Sequence, residues 1–203
     1  MKSIVKAVVI GGGVVGVSTL YHLAAKGWED VILFERKSLT SGSTWHAAGL
    51  LPLFNMSYSV GQIHKYSVRF YQELQEETNM DVGFKKVSNI RLASSQDRMD
   101  EYMQYRGVAE TIGVNVEVLT PSQVKEIWPL VSTDGLIGAI RHPDDGYIQP
   151  ADLTQALAKG ARSRGAKIEI NTEVLNIKRT SDEMWCIETN KGEVICEHII
   201  SCS

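Results

Sequence analysis

The sequence predicts an α/β fold: a parallel sheet of the doubly wound, Rossmann type, with a smaller α+β region inserted into it. Three observations carry this expectation. The stretch VVIGGGVVG, Val8 to Gly16, is an apolar, β-branched run that passes directly into a glycine turn, as a strand covered on both faces does before a helix. Leu20 and Leu23 then continue an apolar helical stripe that Gly27 ends. Val31 to Phe34 forms a second buried strand closing on Glu35, 19 positions after Gly16.

Each element of this unit suits one kind of ligand. Gly11 lets the chain turn sharply, Gly13 lets a dinucleotide pyrophosphate approach the backbone, and Gly16 lets the helix pack close to the strand. Val14 and Val15 open that helix, whose free N–H groups and positive dipole end face an anion without a basic side chain. A glycine turn alone also serves as a structural corner, and the spacing to Glu35 decides between the two. A dinucleotide fold places there the carboxylate that accepts hydrogen bonds from the adenosine ribose.

Composition narrows the class further. With 43% hydrophobic and 22% charged residues in 203, the chain is that of an ordinary globular protein with a substantial core. A net charge of -3 and scattered basic residues give no nucleic-acid footprint, so a small-molecule ligand is expected. No apolar run approaches the ~20 residues of a membrane span, and the first strand begins so near Met1 that no leader is expected. Cys186, Cys196 and Cys202 have no metal spacing, and their odd number argues against a disulfide framework and for a reducing, intracellular compartment.

After Glu35 and Arg36 comes the densest functional segment, LTSGSTWHAAGLLP. Ser41, Gly42, Ser43 and Thr44 offer hydroxyls and bare backbone, Trp45 and His46 are large, and Ala47, Ala48 and Gly49 are minimal again before Leu50. A flat ring pressed against Ala47 to Gly49 accounts for the alternation; a flexible loop with one hydrogen-bonded histidine is the plainer reading of the same composition.

Together with GGGVVG, FERK and the later DDGYIQPADL, this loop resembles the dimethylglycine and sarcosine dehydrogenase family of FAD-dependent enzymes, over most of the 203 residues. The resemblance implies a glutathione-reductase-like FAD-binding domain, with FAD contacts from Gly11, from Gly13 to Gly16, from Glu35 and Arg36, and from Gly42 to Leu50. It also places His46 where the family joins its histidine covalently to the flavin 8α methyl, and Val174 where a valine backbone meets the adenine. A neutral imidazole nitrogen is a competent nucleophile for such a bond.

Elsewhere the chain reads as scaffold. Ile63, Tyr66, Phe70 and Leu74 mark one face of a helix over 56–79, with Glu73, Glu76 and Glu77 as its solvated side. Val87 to Ser94 alternates as a strand, Gln96 to Ile112 is a helix stopped at Gly113, and Thr120 to Gln123 is a capping box with Pro121 at the first helical position. Leu136 to Arg141 is another strand, and Arg91 and Arg141 are candidates for a substrate carboxylate. Asp144 to Gly146 reads as a turn, and Pro150 and Asp152 start a helix running to Gly165. Ile168 to Ile170 is a strand, followed by a meander through 174–178, 184–189 and 194–197 in which Cys186 and Cys196 face each other, and a separate strand from His198. The expected domains are therefore 1–81 with 144–203 for FAD, and 82–143 as an inserted substrate-side region.

The resemblance further implies oxidation of the N-methyl group of a small N-methylated amino acid, dimethylglycine or sarcosine, by hydride transfer to a His-linked flavin in one-carbon metabolism. The catalytic residues and a tetrahydrofolate-binding region are expected beyond residue 203, which makes this chain the front of a longer enzyme; the electron acceptor stays open. The compartment implied is the bacterial cytoplasm or the mitochondrial matrix. Two alternatives remain: a non-catalytic regulatory relative, a class that lacks the loop histidine, and another amine or amino-acid oxidase with noncovalent FAD.

Overall fold

The computed structural model describes residues 3–203; Met1 and Lys2, on which the expectation about a leader falls, lie outside the described residues. Two compact units emerge. The first comprises the run ending at Ala48, Glu73–Gly83 and Gln149–Ser203, and the second Gly49–Gln72 and Phe84–Ile148. The second unit thus begins well before the expected insertion at 82 and takes in residues 49–72 and 144–148 as well.

In the first unit the elements are β1 (Ser3–Ile10), α1 (Val14–Ala25), β2 (Val31–Phe34), a 3-10 turn (Ser43–His46), α5 (Pro150–Ser163), β9 (Lys167–Glu169), β10 (Val174–Arg179), β11 (Trp185–Thr189) and β12 (Gly192–Ser201). They build one six-stranded sheet in the order β10-β11-β12-β1-β2-β9, in which β12, β1, β2 and β9 run parallel. Ala7, Val8 and Val9 of β1 and all of β2 are buried, as parallel strands covered on both faces must be.

Two expectations about the meander are corrected here. The strands expected at 194–197 and from His198 are one strand, β12, because its early residues pair antiparallel with β11 while Val194 to Ser201 pair parallel with β1 without a break at His198. Cys186 and Cys196 do not face each other: Trp185 stands opposite Cys196 and Ile195 opposite Cys186, so the alternation of the pleat sends the two thiols to opposite faces. Burial pushes the Cys196 thiol up to about 11. Glu77 is likewise not merely solvated. Its carboxylate accepts from the Tyr21 hydroxyl and from Arg164 Nη1, both at 2.6 Å, tying the last turn of its helix to α1 and α5.

The second unit holds β3 (Leu50–Leu51), β4 (Lys85–Lys86), β5 (Asn89–Ala93), α3 (Gln96–Ile112), β6 (Glu117–Leu119), α4 (Pro121–Ile127), β7 (Gly138–His142) and β8 (Gly146–Tyr147). The helix α2 (Tyr58–Thr78) begins in this unit and ends in the other. Ser95 caps α3 and Gly113 closes it in the left-handed conformation, while Thr120 and Gln123 form the expected capping box on α4. The sheet β5-β7-β6 carries Tyr102, Tyr105 and Ala109 of α3 on one face and Val124 of α4 on the other.

That sheet separates the two arginines proposed as partners of one carboxylate. Arg91 lies on the α3 face with its guanidinium 4.1 Å from the Phe54 ring, whereas Arg141 lies on the opposite face, bonded to Glu117 at 3.1 Å. The segment Asp144 to Gly146 is also more than a turn. Gly146 belongs to the centre strand of the small sheet β3-β8-β4, and Asp145 is only 1% exposed.

A buried polar cluster sits under the α3 face. His142 is wholly buried, its Nε2 is 3.2 Å from the Tyr105 hydroxyl, and its Nδ1 and Asp145 Oδ2 have no protein partner. Burial, aided by Arg91, pulls His142 down to about 4, and burial pushes Asp145 up to about 6 and the Tyr105 hydroxyl up to about 12. The depressed histidine contributes stability that is present above its ordinary 6.5 and lost as pH falls through about 4. The raised carboxylate contributes stability that is present below its ordinary 3.8 and lost as pH rises through about 6. The two therefore offset each other between pH 4 and 6.5. Relative to wild type, Asp145→Asn should gain and His142→Gln should lose urea resistance as pH rises through this window, each by something on the order of 2 kcal/mol. Parallel pH profiles for the two variants would contradict this balance.

Candidate dinucleotide site

The carboxyl ends of the parallel strands β12, β1 and β2 meet at Ser201, Ile10 and Phe34, and the glycine turn leaves β1 there. Such ends are where open α/β sheets take their ligands. Gly11 has φ +112°, its N–H donates to the Phe34 carbonyl at 2.9 Å, and a Cβ on it would stand 2.6 Å from the Cys202 carbonyl oxygen. A Cβ on Gly16 would overlap the Gly11 carbonyl oxygen, so α1 is seated directly on the turn.

Gly13 is different: a Cβ there would meet only the Thr44 hydroxyl, at 3.0 Å. It is the N-cap of α1, without a side chain to cap the helix. Val14 N–H donates to Thr44 Oγ1 at 2.9 Å, and the first bond inside the helix is Val17 N–H to the Gly13 carbonyl, 3.0 Å. The amides of Val15 and Gly16 precede it and have no acceptor within the helix, which leaves the positive helix end suited to an anion.

Glu35 ends β2 beside this turn. Its Oε2 accepts the Gly12 N–H and its Oε1 the Lys37 N–H, each at 2.7 Å, which fixes the carboxylate while leaving each oxygen a second acceptor site. Gly12, which the sequence reading passed over, is explained by this contact: a Cβ would stand 2.7 Å from Glu35 Cγ.

These groups line one cavity of about 600 Å³ within the first unit. Of the residues expected at the site, Gly11, Gly13, Glu35, Arg36, Gly42, Ser43 and Val174 lie on its wall. Sequence reasoning missed Thr172, Glu173, Ile177 and Ser201 to Ser203 there. The last three follow from the continuity of β12, whose end lies beside that of β1 and which the sequence reading had split in two.

Other expected residues stand off this wall. Val14 and Gly16 lie behind the turn, and Val15 is 64% exposed. Thr44 is buried as the pin between the 3-10 turn and α1. Trp45, His46, Ala47 and Ala48 are exposed at and after the end of that turn, with Trp45 at 70%. Gly49 and Leu50 belong to the second unit, where the Gly49 carbonyl accepts the Ile148 N–H at 2.8 Å. Among the described residues no group of histidine, cysteine and carboxylate side chains is arranged to hold a metal, and no helix is long and apolar enough to cross a membrane.

The cavity fits a dinucleotide in kind. It offers bare backbone at Gly13 beside a helix end, a fixed carboxylate with spare acceptor capacity, and apolar wall from Val174 and Ile177.

Comparison with known proteins agrees with this reading of the fold. The model of the DAO family, described as FAD dependent oxidoreductase, matches residues 6–203. The chain is 38% identical over 200 residues to the mitochondrial dimethylglycine dehydrogenase of Rattus norvegicus, covering 98% of this chain and 23% of that protein. It is 39% identical over 196 residues to the formaldehyde-forming 4-methylaminobutanoate oxidase of Paenarthrobacter nicotinovorans, covering 97% of this chain and 24% of that one. The chain thus spans about a quarter of the length of these curated relatives. Among solved structures, the L-proline dehydrogenase of P. horikoshii superposes on all of this chain and 54% of its own with a TM-score of 0.91 at 27% identity. A glycine turn seated on a parallel sheet, a fixed carboxylate at the end of the second strand, and a family match from residue 6 to residue 203 make this chain a member of the FAD-dependent oxidoreductase family.

Proposed function

We propose that this chain provides the FAD-binding part of an enzyme that oxidises the N-methyl group of a small N-methylated amino acid, dimethylglycine or sarcosine. The observation that carries the reading is the similarity of nearly the whole chain, at 38% and 39% identity, to two enzymes each named for a different N-methylated amino acid. When bound, FAD supplies the acceptor for the hydride that leaves the N-methyl carbon.

The chain's own residues bind and orient. The bare backbone at Gly13 and the amides at the mouth of α1 receive the pyrophosphate, where a developing contact needs no mobile cation. Glu35 accepts the ribose hydroxyls with the lone pairs that Gly12 and Lys37 leave free, and Arg36 flanks it. Val174 opens β10 at the cavity wall and offers its backbone to the adenine. Gly42 and Ser43 close the wall ahead of His46, and the small side chains of Ala47, Ala48 and Gly49, with Leu50, give a flat ring room to approach. His46, exposed at the end of its 3-10 turn, would be the residue to hold the flavin covalently, through its 8α carbon. No residue of this chain is assigned to tetrahydrofolate or to the electron acceptor.

Three measurements on the full-length protein test this reading. Gly13→Val should purify without flavin, since a branched side chain occupies the space given to the pyrophosphate; a yellow variant with unchanged flavin content would remove the cofactor from this turn. Glu35→Gln, made in a His46→Ala background so that binding is reversible, should weaken FAD by about 1.5–3 kcal/mol, the range for a hydrogen bond to a charged group. Unchanged FAD affinity there would refute the ribose assignment. Wild-type protein should keep its flavin through acid precipitation, and His46→Ala should release it while still binding FAD when folded. An intact mass equal to the bare polypeptide after saturation with FAD would rule out the linkage.

A further inference from the structure

The segment that follows the small-residue loop is held by more than strand pairing. Leu53 is 5% exposed; its N–H donates to Asp145 Oδ1 at 2.9 Å and its carbonyl accepts from the Tyr105 hydroxyl at 3.2 Å. One peptide residue is thereby gripped on both polar groups. At the other end of the same segment the Gly49 carbonyl accepts the Ile148 N–H at 2.8 Å, and between the two ends Leu50 and Leu51 pair with Tyr147 and Gly146. The run Gly49–Leu53 is therefore registered along its whole length on the run Asp145–Ile148.

The carrier of the carboxylate is itself fixed. Asp145 receives the N–H groups of Val87 and Ser88 on its own carbonyl, at 3.1 and 2.8 Å, and the next residue must be glycine because a Cβ on Gly146 would overlap the Lys85 carbonyl oxygen. The charged and titratable groups around Asp145 are Arg91, Asp144, Tyr105 and His142. Asp144 is engaged by Lys86 and Asn115, and Arg91 lies on the Phe54 ring. None of these accepts the Leu53 N–H. A buried amide without its acceptor costs the full desolvation of the group, so the Leu53 N–H depends on Asp145.

We propose that Asp145 is a positioning residue: through its bond to Leu53 it fixes the segment Gly49–Leu53, whose first residues, Gly49 and Leu50, are among those read above as receiving the flavin. This rests on the reading that those residues receive the flavin. Asp145 touches neither cofactor nor substrate in this role. Its effect is carried by one peptide group and the two residues, Leu51 and Pro52, that separate Leu50 from Leu53.

Full-length holoprotein tests it with Asp145→Ala, which removes the acceptor, and Asp145→Asn, which keeps a carbonyl oxygen at its place. Hydrogen exchange in a peptide covering 49–55 should be at least tenfold faster in the alanine variant and within threefold of wild type in the asparagine variant, with a peptide covering 185–195 unchanged in both. Covalent incorporation of FAD, followed by acid precipitation, should slow at least tenfold in the alanine variant alone. Equal exchange in all three proteins, or faster exchange with unaltered incorporation, overturns the proposal. Where the alanine variant does not fold, Tyr105→Phe removes the second grip on Leu53, together with the hydroxyl's contact to His142, and should accelerate the same exchange severalfold; no acceleration overturns the proposal. If wild type carries no covalent flavin, the linkage proposed above fails by itself, and positioning is judged on FAD affinity. A tenfold weakening in the alanine variant, with less than threefold in the asparagine variant, then supports it, and equal affinities refute it.

Discussion

The closeness of helix α1 to the turn that precedes it governs the nucleotide-binding unit. Gly16 touches the carbonyl of Gly11 so tightly that a single added carbon cannot be placed, and the helix end is thereby brought to the carboxyl edge of the sheet. Everything the cavity offers depends on that seat. The unpaired amides point there because the helix starts there, Thr44 can reach the Val14 N–H only at that height, and Glu35 can hold Gly12 only if the turn is tight. A surface suited to an anionic group is made in this way from backbone and one carboxylate, with the basic side chains of Arg36 and Lys37 on its wall.

The second unit solves a different problem with a different device. Its small sheet of two-residue strands has little hydrogen bonding of its own to define a register. Asp145, Tyr105 and His142 supply the definition as a buried polar cluster, at the cost of a carboxylate and an imidazole both held away from their ordinary protonation behaviour. Because burial favours the neutral form of each, the two shifts run in opposite directions with pH, and the cluster's stability varies less between pH 4 and 6.5 than either group's would alone.

Most of the first unit was legible in the sequence, since strand, turn, helix and strand each carry a local signature: β-branched runs, glycine spacing, an apolar stripe, and a carboxylate at a fixed distance. The capping box at Thr120 and the left-handed Gly113 were legible for the same reason. What escaped was non-local. Whether 192–201 is one strand or two depends on β1, nearly the whole chain away, and hydrophobicity alone does not report a partner. Asp145 looked like a turn residue because aspartate next to glycine ordinarily is one; only its burial and its bond to Leu53, 92 positions earlier, reveal otherwise. Glu77 fell on the polar side of a helix pattern, yet Tyr21 and Arg164 converge on it from two other helices.

The pairing of β1 with β12 has a consequence for how the protein comes into being. Residues 3–10 find their central neighbour only when residues 194–201 have emerged, so this strand waits for about 190 further residues. At ordinary rates of synthesis, on the order of 5–20 residues per second, that delay is roughly 10 to 40 s during which one edge of Ala7 to Ile10 has no mate. Closing so long a loop also places the sheet among slow-forming topologies. The nucleotide turn, which hangs from the end of β1, is consequently among the last parts of the unit to acquire its working shape, and a nascent chain has an exposed, sticky segment at its front until then.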